Sequence, residues 1–264
     1  KRRRDYLLRM IEDNSIVILF SGLEKSRNND VNYKFRQSSN FFYLTGINNP
    51  SMLLIITKTS NRHSTTLVCD RPNDIDKIWH GQLPSKSSYK NQFKIQNVLY
   101  FDELKSLKLN DAKNIYFEFA DENRLNEFIS NLNLSQPQSR YLRNNTSRST
   151  KIDLSNLIFD MRRIKSKSEV SLIRHAAKIS AKAHINIMKS CKSGLKEYEV
   201  EADFIKHCMS ERCEQAYPAI VASGKNACVL HYTKNNAILR SNNLLLVDAA
   251  AEYDNYASDI TRTI

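Results

Sequence analysis

The sequence is poor in the residues that break or cross-link a chain. Glycine and proline number 5 each in 264 residues, which excludes a collagen-like repeat and a linker-rich organisation. Cysteine also numbers 5 (Cys69, Cys191, Cys208, Cys213, Cys228), with no C-x-x-C pair. An odd count at scattered spacing fits free thiols in a reducing compartment, the cytoplasm, better than a disulfide framework. Cys208 and Cys213 read as packing residues of a helix rather than as metal ligands. No apolar run approaches the roughly 18–20 residues of a membrane span. The longest, SIVILF from Ser15 and SMLLII from Ser51, are strand-sized. The amino end, KRRRDYLLRM, is basic but leads into IEDNS instead of an apolar segment, so neither a signal peptide nor a membrane partner is expected. An initiator Met is absent as well, and the expectation is that these residues are not the whole translation product.

What is present is of globular composition, 41% hydrophobic and 26% charged, enough for one large domain or two ordinary ones. The net charge of +12 raises nucleic acid as a partner. Yet Lys and Arg are spread along the chain. The only dense runs are KRRR at the start and RRIKSK at 162–167, with no nucleic-acid fingerprint between them, so no specific nucleic-acid partner is expected.

The first half reads as alternating strands and helices. A helix is predicted over about Arg4 to Asp13. Strands are predicted at 15–20, at FFYLTG (41–46), and at 51–57, 65–70, 97–101 and 114–119, with a further helix at about 121–132. Short β-branched and aromatic runs bounded by Asn, Ser and Asp carry the strand assignments, and the alternation predicts a mixed α/β layer domain. From Leu134 to Ser155 the chain is polar and aperiodic. It reads as a linker, and the domain boundary is placed there, giving 1–150 and 151–264.

The second half opens on a marked helix. Ser166 and Glu169 fit a capping box, and Leu172, Ala176, Ile179, Ala183 and Ile187 form one stripe at spacings of three and four. A second helix carries Val200, Phe204 and Cys208 on one face. Strands are then predicted at 219–224, at VLHYT (229–233) and at NLLLVDAAAEY (243–253). No internal repeat is present.

The stretch LLLVDAAAEYDNYASDITRTI sets Asp248 and Asp259 on one predicted hairpin. A turn at Tyr253-Asp254 makes them directly opposed. A turn at Asp254-Asn255 makes them diagonal neighbours. Either way they share a face, because the side-chain period of a strand is two, and opposed Cβ atoms lie about 5 Å apart. Two carboxylates that close repel unless a shared proton, an Arg or Lys, or a metal compensates. A pair of divalent ions fits the small residues AAA that follow and would activate water for hydrolysis. The competing reading is a pair of turn aspartates satisfied by backbone amides or by Arg262. His231 lies 17 residues before Asp248 and by itself reads as readily as a packed or surface residue.

Taken together, ASGKNACVLHYTKN and LLLVDAAAEYDNYASDITRT resemble the aminopeptidase P family, the Xaa-Pro aminopeptidases of the pita-bread metallopeptidases. Asp248, Asp259 and His231 match that family's positions with its spacings. The stretches RRRDYLLRM, YKFRQSSNFFYLTGINNP and IWHGQLPS resemble its amino-terminal domain, and MRRIKSKSEVSLIRHAAKISAKAH resembles the first helix of its catalytic domain. The resemblance implies an α/β (α+β) chain: an amino-terminal creatinase/aminopeptidase P-type domain of three layers over 1–150, then the first half of a pita-bread domain over 151–264. It implies hydrolytic release of the N-terminal residue from peptides with proline second, with two divalent metal ions, usually manganese. Asp248 would ligate one ion and Asp259 both. His231 would contact the substrate, and Thr261 and Tyr217 would brace the site. Trp79 would reach the active site of a neighbouring subunit in a homo-oligomer. The family's DAG reads Ala249-Ala250 after Asp248 here. The family completes its metal site with a His and two Glu further on, which these residues do not contain. His63, His80, His175, His184 and His207 all precede the ribbon, and none has a ligand-like partner spacing. The chain therefore reads as carboxy-terminally truncated and, alone, inactive. The alternative is a non-catalytic relic, or half of a split enzyme, with a binding or assembly role.

Overall fold

Six short strands of the first half assemble into one sheet. In the computed structural model, which describes residues 1–106, 112–133 and 149–264, they are β1 (Ser15–Phe20), β4 (Leu53–Lys58), β5 (His63–Cys69), β6 (Asn97–Tyr100), β7 (Asn114–Phe117) and β8 (Thr150–Asp153). Their order is β6-β5-β4-β1-β7-β8. The β1–β4 and β4–β5 pairs are antiparallel, and the other neighbours are parallel. A ribbon of β2 (Ser26–Asn28) and β3 (Val31–Asn32) stands apart from the sheet. β1 is buried at all six positions, as a central strand covered on both faces must be. On one face Val17, Leu19, Leu54 and Ile56 pack with Leu7 of α1 (Arg2–Met10), Phe41 of α2 (Ser39–Thr45) and Ile158 of α6 (Ser155–Arg163). On the other face Ile16, Ile18, Leu53 and Ile55 pack with Leu125 and Phe128 of α5 (Glu122–Asn133). The result is helix, sheet and helix in three layers. Two short helices, α3 (Asp74–His80) and α4 (Lys86–Phe93), lie between β5 and β6 in the chain.

Two expectations for this unit are corrected. FFYLTG is not a strand: Ser38 and Gly46 bracket a helix. The Ser38 hydroxyl accepts the Phe41 amide at 3.5 Å, and Gly46, at φ 76°, closes the last turn by donating to the Phe42 carbonyl at 2.7 Å. Caps at both ends outweigh the strand preference of an aromatic run. The boundary at 150 also moves. The chain parts into compact units at Lys1–Arg163 and Ile164–Ile264, because β8 extends the sheet beside β7 and α6 buries Ile158 and Met161 in the same core. Residues 134–148 of the predicted linker lie outside the described residues.

The basic amino end has a structural use. Arg4 is 2% exposed and donates to the carbonyls of Leu44, Phe93 and Lys94 at 2.7–2.9 Å. Arg3 donates to the Tyr43 carbonyl and lies over the Tyr43 ring, 4.0 Å from its centroid. Cations at the exposed carbonyls of a helix end are favourable. Burial holds the Arg4 guanidinium pKa below its ordinary value.

The second unit joins two long helices to two small sheets. α7 (Lys167–Ser190) starts with the expected capping box: the Ser166 hydroxyl accepts the Glu169 amide, and the Glu169 carboxylate accepts the Ser166 amide. α8 (Glu197–Ser210) follows. The strands are β9 (Glu214–Gln215), β10 (Ile220–Ser223), β11 (Leu245–Asp248), β12 (Ala251–Tyr253), β13 (Tyr256–Ala257) and β14 (Thr261–Thr263), in orders β10-β11-β14 and β13-β12-β9. The stripe residues Ala176, Ile179, Ala183 and Ile187 are buried, as are Val200, Phe204 and Cys208; most of them form one core with Val221, Val247, Ala249 and Ala251. Cys208 and Cys213 pack within that core.

Two strand assignments fail here. Residues 243–253 are not one strand: β11 ends at Asp248, and β12 begins at Ala251 in the other sheet. VLHYT is not a strand at all. A 3-10 turn, Gly224–Cys228, leads into a loop in which Val229 and Leu230 are exposed. The polar groups of this loop find a partner across the unit in Glu197 of α8. Its carboxylate is fully buried and accepts from the Ser223 amide and hydroxyl, the Asn226 side chain, the Tyr232 hydroxyl and the Ala237 amide, at 2.7–3.1 Å. A side chain thus supplies what a neighbouring strand would.

Candidate metal centre

The chain turns at Asp254 and Asn255, whose φ values are 48° and 62°, in the left-handed conformation that a two-residue hairpin turn of the twist-matched kind requires. The register follows: Tyr253 pairs with Tyr256, Glu252 with Ala257, and Asp248 with Thr261. Asp248 and Asp259 are therefore diagonal neighbours, the second of the two arrangements the sequence leaves open. Asp248 is half-buried and Asp259 exposed. The ribbon carrying them spans the gap between the sheets through two backbone bonds, from the Ala249 amide to the Ile260 carbonyl and from the Ser258 amide to the Ala251 carbonyl, at 3.2 and 3.0 Å.

Tyr217 joins the two acids. Its hydroxyl lies 2.5 Å from Asp248 Oδ1 and 2.9 Å from Asp259 Oδ1. The ring is brought there by the neighbouring Ala216 amide, which donates to the Ala250 carbonyl at 2.8 Å. Burial raises the Tyr217 pKa well above the ordinary phenol value, and the two carboxylates raise it further. The phenol stays protonated, and its one proton serves one carboxylate at a time. The other carboxylate faces the phenol oxygen with no proton between them. Arg262 does not compensate: it donates to the Thr261 carbonyl at 2.6 Å. Three hard oxygen groups converge with one proton among them, a donor set that suits a hard divalent cation. Among the described residues no group of three or more His, Cys, Asp and Glu could hold a metal; what converges here is two aspartates and one phenol.

The other predicted site residues lie around or apart from this cluster. Thr261 is the cross-strand partner of Asp248. His231 is exposed on the loop that Glu197 fastens and makes no hydrogen bond among the described residues. Trp79 projects from α3 of the first unit, 76% exposed. Glu197, Ser180 and His184 were not singled out by sequence reasoning. The available signal was a pair of polar residues four apart beside the apolar stripe of α7.

Residues 1–116 match the aminopeptidase P N-terminal domain, and residues 171–264 match metallopeptidase family M24. The chain carries an aminopeptidase P N-terminal domain followed by residues of an M24 metallopeptidase domain. The Xaa-Pro aminopeptidases of Escherichia coli and Haemophilus influenzae are each 32% identical to it over 269 and 271 residues, covering 100% of this chain and 60% and 59% of those proteins. Proline aminopeptidase P II from Yersinia pestis superposes with a TM-score of 0.91 at 32% identity, covering 100% of this chain and 61% of that one. The E. coli aminopeptidase P with the inhibitor Pro-Leu gives 0.90 at 30% identity and the same coverage. The chain thus spans about 60% of the length of the curated relatives it matches. In M24 terms its second unit is half of the pita-bread fold, and the ribbon with Asp248, Asp259 and Tyr217 lies within the matched residues.

Proposed function

We propose that this chain contributes to hydrolytic release of the N-terminal residue from peptides with proline in second position. The observation that carries the reading is the Tyr217 hydroxyl held against both Asp248 and Asp259 with one proton for two acids. Asp248 and Asp259 would hold two divalent ions, manganese by family, with Tyr217 and Thr261 bracing them. When bound, the ions supply Lewis-acid polarisation of the scissile carbonyl and a water acidic enough to attack it. His231, exposed on its loop and without a hydrogen bond among the described residues, would meet the substrate beside the scissile bond. Trp79, exposed on α3, would contact a neighbouring copy in a homo-oligomer, and the free thiols agree with a cytoplasmic setting. Among the described residues no helix is long and apolar enough to cross a membrane.

The donor count favours one further reading. Two aspartates offer four oxygens, whereas two divalent ions of coordination five or six need about ten donor positions, some shared and some water. The site would then be completed by residues outside these 264, and the chain alone would bind or assemble without turning over substrate.

The test is Mn2+ uptake by calorimetry together with release of the first residue from an Xaa-Pro peptide by the full-length protein. Asp259→Asn is expected to bring release to background while circular dichroism stays as in the parent and melting without metal is no lower. Full activity in that variant defeats the metal-ligand role, and a parent that takes up no Mn2+ defeats the whole reading.

A further inference from the structure

Beyond its capping Glu169, α7 presents two buried polar side chains, Ser180 at 0% and His184 at 3% exposure. They are four residues apart and so share one helix face. Both end on the carboxylate ribbon. His184 Nε2 lies 2.9 Å from the Ala249 carbonyl, beside Asp248. A carbonyl only accepts, so the imidazole carries its proton on Nε2 and donates. The ring is held edge-on to Phe204 with centroids 5.6 Å apart. The Ser180 hydroxyl accepts the Ala251 amide at 2.8 Å and contacts the Ser258 hydroxyl, beside Asp259, at 2.8 Å. Ser258 in turn donates to the Ala251 carbonyl at 3.0 Å.

The protons close this ring in one direction. Ser258 spends its proton on the Ala251 carbonyl, so Ser180 spends its own on Ser258 while accepting the Ala251 amide. No donor in the ring lacks an acceptor. The ring ties Ala251 on one strand to Ser258 on the other, and His184 ties Ala249. These bonds meet the ribbon where it passes between the two sheets and where β-ladder pairing is thinnest. Ala249, Ala250 and Ala251 are all fully buried, so their backbone has no water to bond instead.

We propose that Ser180 and His184 are positioning residues for the carboxylate pair. From one face of α7 they fix the backbone next to Asp248 and next to Asp259, and so set the separation at which a divalent cation is held. This inference rests on the metal reading of that pair.

The experiment uses the full-length protein with Mn2+ binding by calorimetry, and amide hydrogen exchange of the segment 245–263 without metal. His184→Leu fills the volume but cannot donate, and Ser180→Ala opens the ring. Each is expected to speed exchange in the segment and to weaken Mn2+ about 10–100-fold, the usual effect of losing a group that orients a metal ligand. His184→Gln, whose side-chain amide can donate from the place of Nε2, is expected to restore most of that affinity. Ile187→Val, one turn along in the same core, loses stability without touching the ribbon and is expected to leave Mn2+ affinity unchanged. The proposal is overturned if His184→Leu binds Mn2+ as the parent does, or if Ile187→Val weakens it equally. A parent that takes up no Mn2+ overturns the metal reading and this inference together. A parent that binds while the α7 variants are unmoved overturns this inference alone.

Discussion

Removing the Glu197 carboxylate should cost more stability than any exposed charge in the molecule. The group is fully buried and accepts five hydrogen bonds, from Ser223 (amide and hydroxyl), Asn226, Tyr232 and Ala237. No salt-bridge partner is recorded for it among the described residues, so dipoles alone hold the charge. Glu197→Ala strands the two backbone donors, Ser223 and Ala237, which cannot rotate away to water. An unsatisfied buried donor costs about 1–3 kcal/mol, so a loss of at least about 2–6 kcal/mol is expected, with Asn226 and Tyr232 adding little because their side chains can turn to solvent. Glu197→Gln keeps the shape but turns an amide N–H toward the Ala237 amide, and a loss of about 1–3 kcal/mol, one stranded donor, is expected. The acidity gives a second handle. Burial pushes the Glu197 pKa up, but the Ser223 and Ala237 amides and the Tyr232 hydroxyl push it down further, and the net displacement is downward. A carboxyl whose pKa is lowered by folding stabilises the fold above its unfolded value, about 4.3, and loses that contribution as pH falls through the folded value. Urea titrations from pH 7 to pH 3 measure both effects. Glu197→Gln should lack this part of the acid-side decline, and limited proteolysis should cut the loop 224–237 sooner. A Glu197→Ala protein as stable as the parent would refute the accounting.

Two other outcomes follow from the ribbon. Asn255 sits at φ 62°, where a β-branched side chain is strained, so Asn255→Val should cost about 1–2 kcal/mol by chemical denaturation, while Asn255→Gly should not; equal stability of the two would remove the turn argument. If the acids hold a metal, Mn2+ at about 100 times its dissociation constant should stabilise the full-length protein by about 2.7 kcal/mol, and chelation should reverse it. Asp248→Asn should melt without metal at least as high as the parent, since it relieves the repulsion, and should gain nothing from Mn2+. A metal-induced gain in that variant equal to the parent's would exclude Asp248 as a ligand.

Local signals carried most of what the sequence revealed. The capping box at Ser166 and the stripe ending at Ile187 are complete within α7, so the helix could be read without its surroundings. The pairing of the acids was legible for the same reason, since a two-residue period and one turn suffice to put them on one face. One error passed over local caps, and the others lie where a distant group decides. FFYLTG has a strand's composition, but Ser38 and Gly46 cap it and the core takes Phe41 and Leu44 from a helix. VLHYT has a strand's composition too, yet its loop answers to Glu197, some thirty residues earlier. The break at Ala249-Ala250 left no mark in the sequence, because the groups that hold it there, Ser180 and His184 of α7 and the Ala216 amide, are distant in the chain.

That break bears on the proposal that an external cation neutralises the acids. An ordinary hairpin could relax its strands to separate two charges. Here Ala249, Ala250 and Ala251 are fully buried, the Ala250 carbonyl is held by the Ala216 amide, and the carbonyls of Ala249 and Ala251 are held by His184 and Ser258. The backbone beneath Asp248 therefore has little room to move away from Asp259. Tyr217 offers one proton to two carboxylates, and Arg262 is turned to the Thr261 carbonyl. The fold spends its hydrogen bonds on holding the acids together, and under the proposed metal reading a bound cation would neutralise their charge.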